Sequence, residues 1–277
     1  MHEAGRGDTV KDIARAGDPD RALAALFAPR QVREDLFALI AFNVELARIG
    51  ELVNEPGLGA IRLQWWRDAI ERAVKGEATG HPVADALAAT IDSRKLTRAR
   101  IDALVDARSF DVDTKVMPDW ATLEAYVRNT AGGLFALGAE CLGVRGEPVG
   151  LAAAQAGLAY GLTGLMRALP AHAARGLIFL PAEALHRHRT SPEAVLARTS
   201  SEGLAAVLAE LRDKAKGALS MARQQVAALD ASARTAFRPL SLVDPYLAAL
   251  ERSRDPLHEI ATINPLTRFW RMASWRG

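Results

Sequence analysis

The longest uncharged stretch of the chain is Pro148-Val-Gly-Leu-Ala-Ala-Ala-Gln-Ala-Gly-Leu-Ala-Tyr-Gly-Leu-Thr-Gly-Leu-Met166, and it decides the fold class. It approaches the roughly 20 residues that a bilayer-spanning helix needs. It consists mostly of Ala and Gly, however, and contains Gln155 and Thr163, so its transfer into lipid would gain little. A helix that is apolar on all sides is also what the centre of a large helical protein requires. We therefore expect Pro148–Met166 to be a buried central helix rather than a membrane span.

Helical periodicity continues on both sides of this stretch, and strand signals are nearly absent. Ala, Leu, Arg and Glu dominate, and apolar residues recur at helical spacing. The predicted helical segments are Ala22–Val53, Ile61–Val74, Ala84–Ile91, Arg98–Phe110, Trp120–Leu142, Leu151–Arg167, Pro192–Ala197, Ser201–Leu229 and Ala231–Leu250. Turn signals, Leu169-Pro170 among them, separate these segments, and Asp119 and Ser201 are typical N-cap residues. The pattern predicts one all-α domain over residues 1–277, with roughly eight to ten helices around a central pair.

Composition excludes several classes of protein. The 277 residues include 35 Lys and Arg against 33 Asp and Glu, and this near-neutral balance gives no reason to expect nucleic acid as a partner. A single cysteine, Cys141, excludes an intrachain disulfide framework and a Cys-based zinc site. The first ten residues contain no apolar signal segment. We expect a cytoplasmic protein.

The stretch Ala41–Glu55 is the first that suggests chemistry. Glu51, Asn54 and Glu55 are spaced so that their side chains share one face of a helix. Oxygen ligands in this arrangement could hold magnesium, which often keeps substrate phosphates in its coordination shell. The alternative is a solvated helix end ahead of Pro56, since acid-rich helix faces are common on protein surfaces.

The stretch Ile61–Asp68 reads Ile-Arg-Leu-Gln-Trp-Trp-Arg-Asp. Its adjacent tryptophans cannot face the same way on a helix, so we expect one in the core and the other at an interface. Arg62 and Arg67 could bind an anionic group, because the guanidinium group pairs with phosphate in a bidentate fork. They could equally pair with acidic residues on the surface.

Two further stretches complete a recognisable order. Tyr126–Phe135 contains Gly132 and Gly133 in mid-helix, where glycine costs stability and points to close backbone packing or pocket space. Gly157–Pro181 follows it. The four stretches, in this order, resemble the squalene/phytoene synthase family over about Asp20–Pro181. The best-matched pieces are Leu36–Phe42, Trp66-Arg67, Tyr126 with Thr130-Ala131-Gly132, Gly157-Leu-Ala-Tyr with Leu162-Thr163 and Arg167, and Arg175-Gly-Leu-Ile-Phe-Leu-Pro181.

This resemblance implies the isoprenoid synthase fold, a helical bundle around a central cavity. Members of the family bind magnesium and a substrate diphosphate between two aspartate-rich helices, and they join two prenyl diphosphates head to head. Diphosphate leaves only when metals and basic side chains neutralise its charge. The arginines that would meet substrate are Arg48, Arg62, Arg67, Arg167 and Arg175.

The chain departs from the family pattern in all three parts of the catalytic apparatus. Gly50, Glu51 and Asn54 stand where the first motif, Asp-Asp-x-x-Asp, requires aspartates, and Glu55 is a remnant candidate. Ala168 and His172 stand where the second motif has aspartates, and Asn129 replaces a tyrosine that assists catalysis. The segment Phe110-Asp-Val-Asp113 either preserves an acidic feature of the family or only ends a helix. No catalytic residue is assigned; the remnant candidates are Glu51, Asn54, Glu55, Asn129 and His172. No metal or cofactor is expected unless magnesium serves a residual activity.

These departures resemble a branch of the family similar to the mitochondrial complex I assembly factor of phytoene-synthase type. The resemblance implies a non-catalytic assembly factor whose partners are subunits of respiratory complex I. One alternative is an active prenyl transferase with an altered metal site. Another is a non-catalytic binder of prenyl or quinone lipids. Position 168 together with position 172 favours a non-catalytic protein.

The C-terminal residues 262–277 form a basic, tryptophan-containing tail. Its last part, Thr267–Gly277, carries three arginines, no acid, and Phe269, Trp270 and Trp275. Arg interleaved with Trp suits a membrane interface and predicts peripheral contact at the inner face of the cell membrane. The alternative is a tail that packs its tryptophans onto the helical body.

Overall fold

The computed structural model describes residues 6–52, 57–113 and 116–277, and for residues 6–8 and 52 it describes the backbone only. These residues form sixteen α-helices, one π-helical turn, one 3₁₀ turn and a single isolated β-bridge between Val116 and Ile178. The helices are α1 Arg6–Gly17, α2 Pro19–Ala25, α3 Arg30–Leu52, α4 Leu58–Val74, α5 Pro82–Arg94, α6 Arg98–Ala107, α7 Ser109–Asp113, α8 Trp120–Val127, α9 Gly133–Cys141, α10 Glu147–Ala174, α11 Ala182–Arg187, α12 Pro192–Leu196, α13 Glu202–Ala227, α14 Ala231–Ala236, α15 Val243–Arg252 and α16 Pro265–Ala273. The π turn, Arg128–Gly132, joins α8 to α9, and the 3₁₀ turn, Arg238–Leu242, joins α14 to α15. The all-α class predicted from the sequence is confirmed.

Helix α10 lies at the centre of the bundle. It packs along α13 and against the π turn, and its apolar residues belong to the larger of the hydrophobic cores. Among the described helices it alone is long and apolar enough to cross a bilayer. Of its most apolar stretch of 18 residues, 56% is buried inside the protein. Its contacts agree with the core interpretation of Pro148–Met166.

Glycines bring α10 close to the π turn. A Cβ atom on Gly157 would lie 2.6 Å from both the Cα and the N of Gly132, closer than real Cβ atoms approach other atoms. Backbone therefore packs directly on backbone at this crossing. The close approach expected from the small residues of Tyr126–Phe135 is confirmed at Gly132.

The expected break at Leu169-Pro170 is wrong, because α10 continues through Pro170 to Ala174. Proline lacks one helical hydrogen bond and disturbs the preceding turn, at a cost of about 3 kcal/mol. Leu169 and Ala173, on either side of it, are buried in the core. Burial of a leucine side chain stabilises by roughly 1.5–3 kcal/mol, so core packing offsets much of the proline's cost.

Other predicted segments are divided into shorter helices. Three helices, α1, α11 and α16, lie outside every predicted segment, so the structure has more helices than the sequence predicted. Ala22–Val53 becomes α2 and α3, with Pro29 between them, and Ala231–Leu250 is interrupted by the 3₁₀ turn that contains Pro239. The predicted N-caps are confirmed. Asp119 and Ser201 accept hydrogen bonds from the backbone N–H groups of Thr122 and Leu204, respectively.

A second hydrophobic core lies between α1, α3, α4, α5 and α6. Trp66 is buried there, edge-on to Phe42 with ring centroids 5.3 Å apart, whereas Trp65 is exposed. This separation of the two tryptophans agrees with the sequence prediction. The candidate site lies between this core and the one around α10.

Candidate functional site

A cleft opens between α2, α3, the π turn and α10. Its cavity volume is about 150 Å³, below the roughly 300–1,000 Å³ of typical ligand pockets. The lining residues are Arg21, Asn43, Arg108, Tyr126, Val127, Thr130, Ala131, Tyr160, Gly161, Gly164 and Leu165. This is the place where the resemblance expects a central cavity.

A buried polar network forms one wall of the cleft. The Tyr126 hydroxyl donates to Oδ1 of Asp111 over 2.8 Å, and Nη1 of Arg108 donates to Oδ2 of Asp111 over 3.0 Å. Arg108 also donates to the Tyr126 oxygen (2.8 Å) and to Oδ1 of Asn43 (3.0 Å). Burial raises the pKa of the Asp111 carboxyl, an effect that the Arg108 charge partly offsets. The network joins α3, α7 and α8 through hydrogen bonds.

This network places α7 against α3 at the position where the resemblance expects the first aspartate. A Cβ atom on Gly50 would lie 2.8 Å from the Asp111 carbonyl oxygen and 3.1 Å from the Asp111 Cβ. On the neighbouring helix, a Cβ on Gly59 would meet Val112 at 2.5 Å. Both glycines therefore let α7 pack closely, and no room is left for a carboxylate side chain at position 50.

Glu51 and Arg175 are brought together by the ends of α3 and α10. Oε1 of Glu51 lies 2.5 Å from Nη1 of Arg175 in an ion pair at the surface. The remnant carboxylate is thus neutralised by an arginine of the protein itself. Asn54 and Glu55, the other two candidates of this motif, lie outside the described residues.

His172 lies in an aromatic cluster. Its ring centroid is 4.6 Å from that of Phe179, which also contacts the rings of Phe110 and Tyr126. Burial, together with the positive charges of Arg175 and Arg108, lowers the pKa of the imidazole to about 4. The ring is therefore neutral near pH 7. Asn129 is exposed on the π turn and does not line the cleft.

The five candidate arginines are not gathered around the cleft. Arg48 lies 3.7 Å from Glu45 on the surface, Arg62 is exposed, and Arg67 donates to Asp106 over 2.6 Å. Arg167 does not line the cleft either. Its guanidinium carbon lies 3.6 Å from the centroid of the Tyr246 ring, and its Nε donates to the carbonyl of Ala261.

Sequence reasoning missed the two arginines that do line the cleft. Arg108 belongs to the network above. Arg21 forms an ion pair with Asp18 at 2.8 Å and lies over the Tyr160 ring at 4.4 Å. The only available signal in the sequence is the acidic segment beginning at Phe110, which predicts either a preserved family feature or a helix end. The structure shows that its Asp111 is buried and pairs with Arg108.

The described residues do not fit a magnesium cluster. In the described ranges 6–52, 57–113 and 116–277, no group of three His, Cys, Asp or Glu side chains could hold a metal ion. Position 50 has no space for a carboxylate, Glu51 is paired with an arginine, and His172 is a nitrogen ligand that magnesium disfavours. Arg108 and Arg175 add positive charge next to His172, which opposes a divalent cation there.

Comparison with known proteins identifies the relatives of the chain. The family model described as Squalene/phytoene synthase matches residues 14–271. The rat protein named NADH dehydrogenase (ubiquinone) complex I, assembly factor 6, is 30% identical over 96% of this chain and 80% of its own length. Presqualene diphosphate synthase of Rhodopseudomonas palustris is 29% identical over 66% of each chain. The crystal structure of squalene synthase HpnC from Alicyclobacillus acidocaldarius shares the fold, with a TM-score of 0.78 and 22% identity over 90% of this chain and 94% of that one.

Restoring an aspartate at position 50 tests the packing of α7. We expect Gly50→Asp to lower the free energy of unfolding by roughly 1–3 kcal/mol, because the new side chain must displace the Asp111 backbone. Urea unfolding measures this change. The control is Gly217→Asp on α13, where a Cβ meets no atom within 4 Å and the expected change is within about 0.5 kcal/mol. Equal stability of the two variants would show that α7 does not close on α3.

The buried imidazole of His172 predicts a stability that depends on pH. Its pKa is about 4 in the folded protein and about 6.5 in the unfolded chain, so the unfolded state binds the extra proton as the pH falls through this window. We expect acidification from about pH 7 to about pH 4.5 to destabilise the wild type by about 2–3 kcal/mol more than His172→Gln. Denaturant unfolding at both pH values measures the difference. The exposed His186→Gln serves as control and should follow the wild type; a His172→Gln variant that also follows it contradicts the assignment.

Proposed function

The chain belongs to the squalene/phytoene synthase family, and on that premise we propose that it is a non-catalytic assembly factor for respiratory complex I. The structural observation that carries the proposal is the packing of α7 on Gly50, which leaves no space for a carboxylate where the family resemblance expects the first metal ligand. The family's reaction needs metal ions to neutralise the leaving diphosphate.

The other features of the site support the same proposal. The Glu51 carboxylate is engaged by Arg175, and the His172 ring is neutral and packed on Phe179. The cleft is smaller than the pockets that typically enclose a ligand. None of these arrangements supplies the cluster of oxygen ligands that magnesium prefers.

The relatives supply the role in assembly. Proteins named complex I assembly factor 6 match nearly the whole chain, whereas the match to presqualene diphosphate synthase covers two thirds of it. The proposed partners are subunits of complex I, bound at the protein surface. The proposed place of action is the membrane that contains complex I, on its cytoplasmic side.

Deletion of the gene in the source organism tests this role. We expect assembled complex I to be lost from native gels of membranes, and NADH-dependent respiration to fall, while the content of squalene- and phytoene-type hydrocarbons stays unchanged. Complex I is lost because its subassemblies do not join without the assembly factor. The hydrocarbon content is unchanged because the protein does not catalyse the condensation of prenyl diphosphates. A plasmid copy of the wild-type gene should restore the complex.

A second plasmid copy separates the assembly role from a residual enzyme activity. Glu51→Ala removes the one described carboxylate of the first motif, and loss of a surface ion pair costs only about 0–1 kcal/mol of stability. We expect this variant to restore complex I as well as the wild type does. Intact complex I in the deletion strain, or a hydrocarbon that disappears with the gene and with Glu51→Ala, would contradict the proposal.

A further inference from the structure

The C-terminal helix α16 has two faces with different surroundings. On its inner face Met272 is completely buried, and Nε of Arg268 lies 2.9 Å from Oδ1 of the buried Asp20. On its outer face Leu266, Phe269 and Trp270 are 69%, 48% and 67% exposed. These three residues lie at helical spacing i, i+3 and i+4, so they form one apolar surface, which we call the α16 face.

The α16 face extends onto the end of α2. The ring centroids of Phe269 and Phe27 are 6.1 Å apart, and Leu26, beside Phe27, is exposed. Large exposed side chains of this kind are scattered singly on most proteins, whereas a contiguous group marks an interaction surface. The α16 face is therefore a candidate interaction surface.

Contacts on the inner side of α16 fix the orientation of the helix, with the α16 face pointing outward. Arg238 donates to the carbonyl oxygen of Met272, and its guanidinium group lies over the Phe27 ring at 4.6 Å. Rotation of the helix would expose Met272 and break the contact of Arg268 with Asp20, which is buried and accepts a hydrogen bond from the Tyr246 hydroxyl at 2.7 Å. Exposure of the α16 face is thus a property of the folded protein.

Within the C-terminal segment that contains α16, every charged side chain is basic. From Ile260 to Gly277 the chain contains no Asp or Glu. Arg268 is committed to Asp20, but Arg271 and Arg276 are exposed. The α16 face is apolar, and the charged side chains of its segment are arginines. Such a face complements a surface that has a negatively charged outer layer and an apolar interior.

We propose that the α16 face docks on the surface of a bilayer that contains anionic lipids. Leu266, Phe269 and Trp270 enter the region between headgroups and acyl chains, where the indole ring is most favourably placed. Arg271 and Arg276 meet lipid phosphates. The proposal stands on the C-terminal helix alone and does not depend on the assembly role.

Vesicle sedimentation of the full-length protein tests this docking. One set of vesicles is phosphatidylcholine alone, and the other contains equal parts of phosphatidylcholine and phosphatidylglycerol. We expect binding to the anionic set, and at least tenfold weaker binding of the double variant Leu266→Ser, Trp270→Ser, which removes most of the exposed apolar area. Arg271→Gln should weaken binding to the anionic set roughly fivefold, since each arginine near such a surface contributes about 1 kcal/mol.

The matched control is Leu151→Ser, Met221→Ser. These two residues are 52% and 48% exposed on α10 and α13, away from α16, so the control changes exposed apolar residues without touching the proposed surface. It should bind vesicles as the wild type does, and circular dichroism checks that every variant is folded. Absence of wild-type binding, or equal binding by the α16 variant, overturns the proposal. A wild-type dimer in solution that ignores vesicles and becomes monomeric in the α16 variant also overturns it, in favour of a second copy on this face.

Discussion

The buried contact of Asp111 with Arg108 and Tyr126 is the constraint on which the candidate site depends. A carboxylate and a guanidinium group taken out of water are costly unless each finds its partners, and removal of one partner of such a pair typically costs about 3–5 kcal/mol. Here Arg108 satisfies Asp111, Tyr126 and Asn43 together. The short helix α7 is thereby fixed against α3 and α4, at the two glycines that allow its approach.

The chemistry of the site follows from this placement. With α7 closed on Gly50, the end of α3 presents only Glu51 among the described residues of the first motif, and Arg175 neutralises it. Phe110, which begins α7 with Ser109, takes part in the aromatic cluster that surrounds His172. The family's bundle is preserved, but the space between its two motif helices is occupied by side chains that pair with one another. Such an interior agrees with a protein that acts by binding partners at its outer surface.

The fold was readable from the sequence because its main determinants are local. An apolar, glycine-rich stretch predicted the central helix, and Gly132 marked the close crossing with α10. The prediction of a helix end at Pro170 is wrong, because the last turns of α10 are buried and their packing compensates for the proline. These tertiary contacts cannot be read from the sequence. Most of the candidate site could not be predicted from the sequence, because its residues are defined by tertiary contacts. Arg108 and Arg21 are two among 35 basic residues, and only their tertiary partners distinguish them. For the C-terminal tail, Trp275 packs on the core, as the second alternative expects, whereas Trp270 is exposed and its contact with a membrane stays a prediction.

The central claim is that the closed α7 leaves the protein without a magnesium-dependent diphosphate site. Isothermal titration with a farnesyl diphosphate analogue that resists cleavage, in the presence of magnesium and then of a chelator, tests it most directly. The account predicts that magnesium makes no difference to the affinity for the analogue. Saturable binding that requires magnesium and is abolished by Glu51→Ala would contradict it.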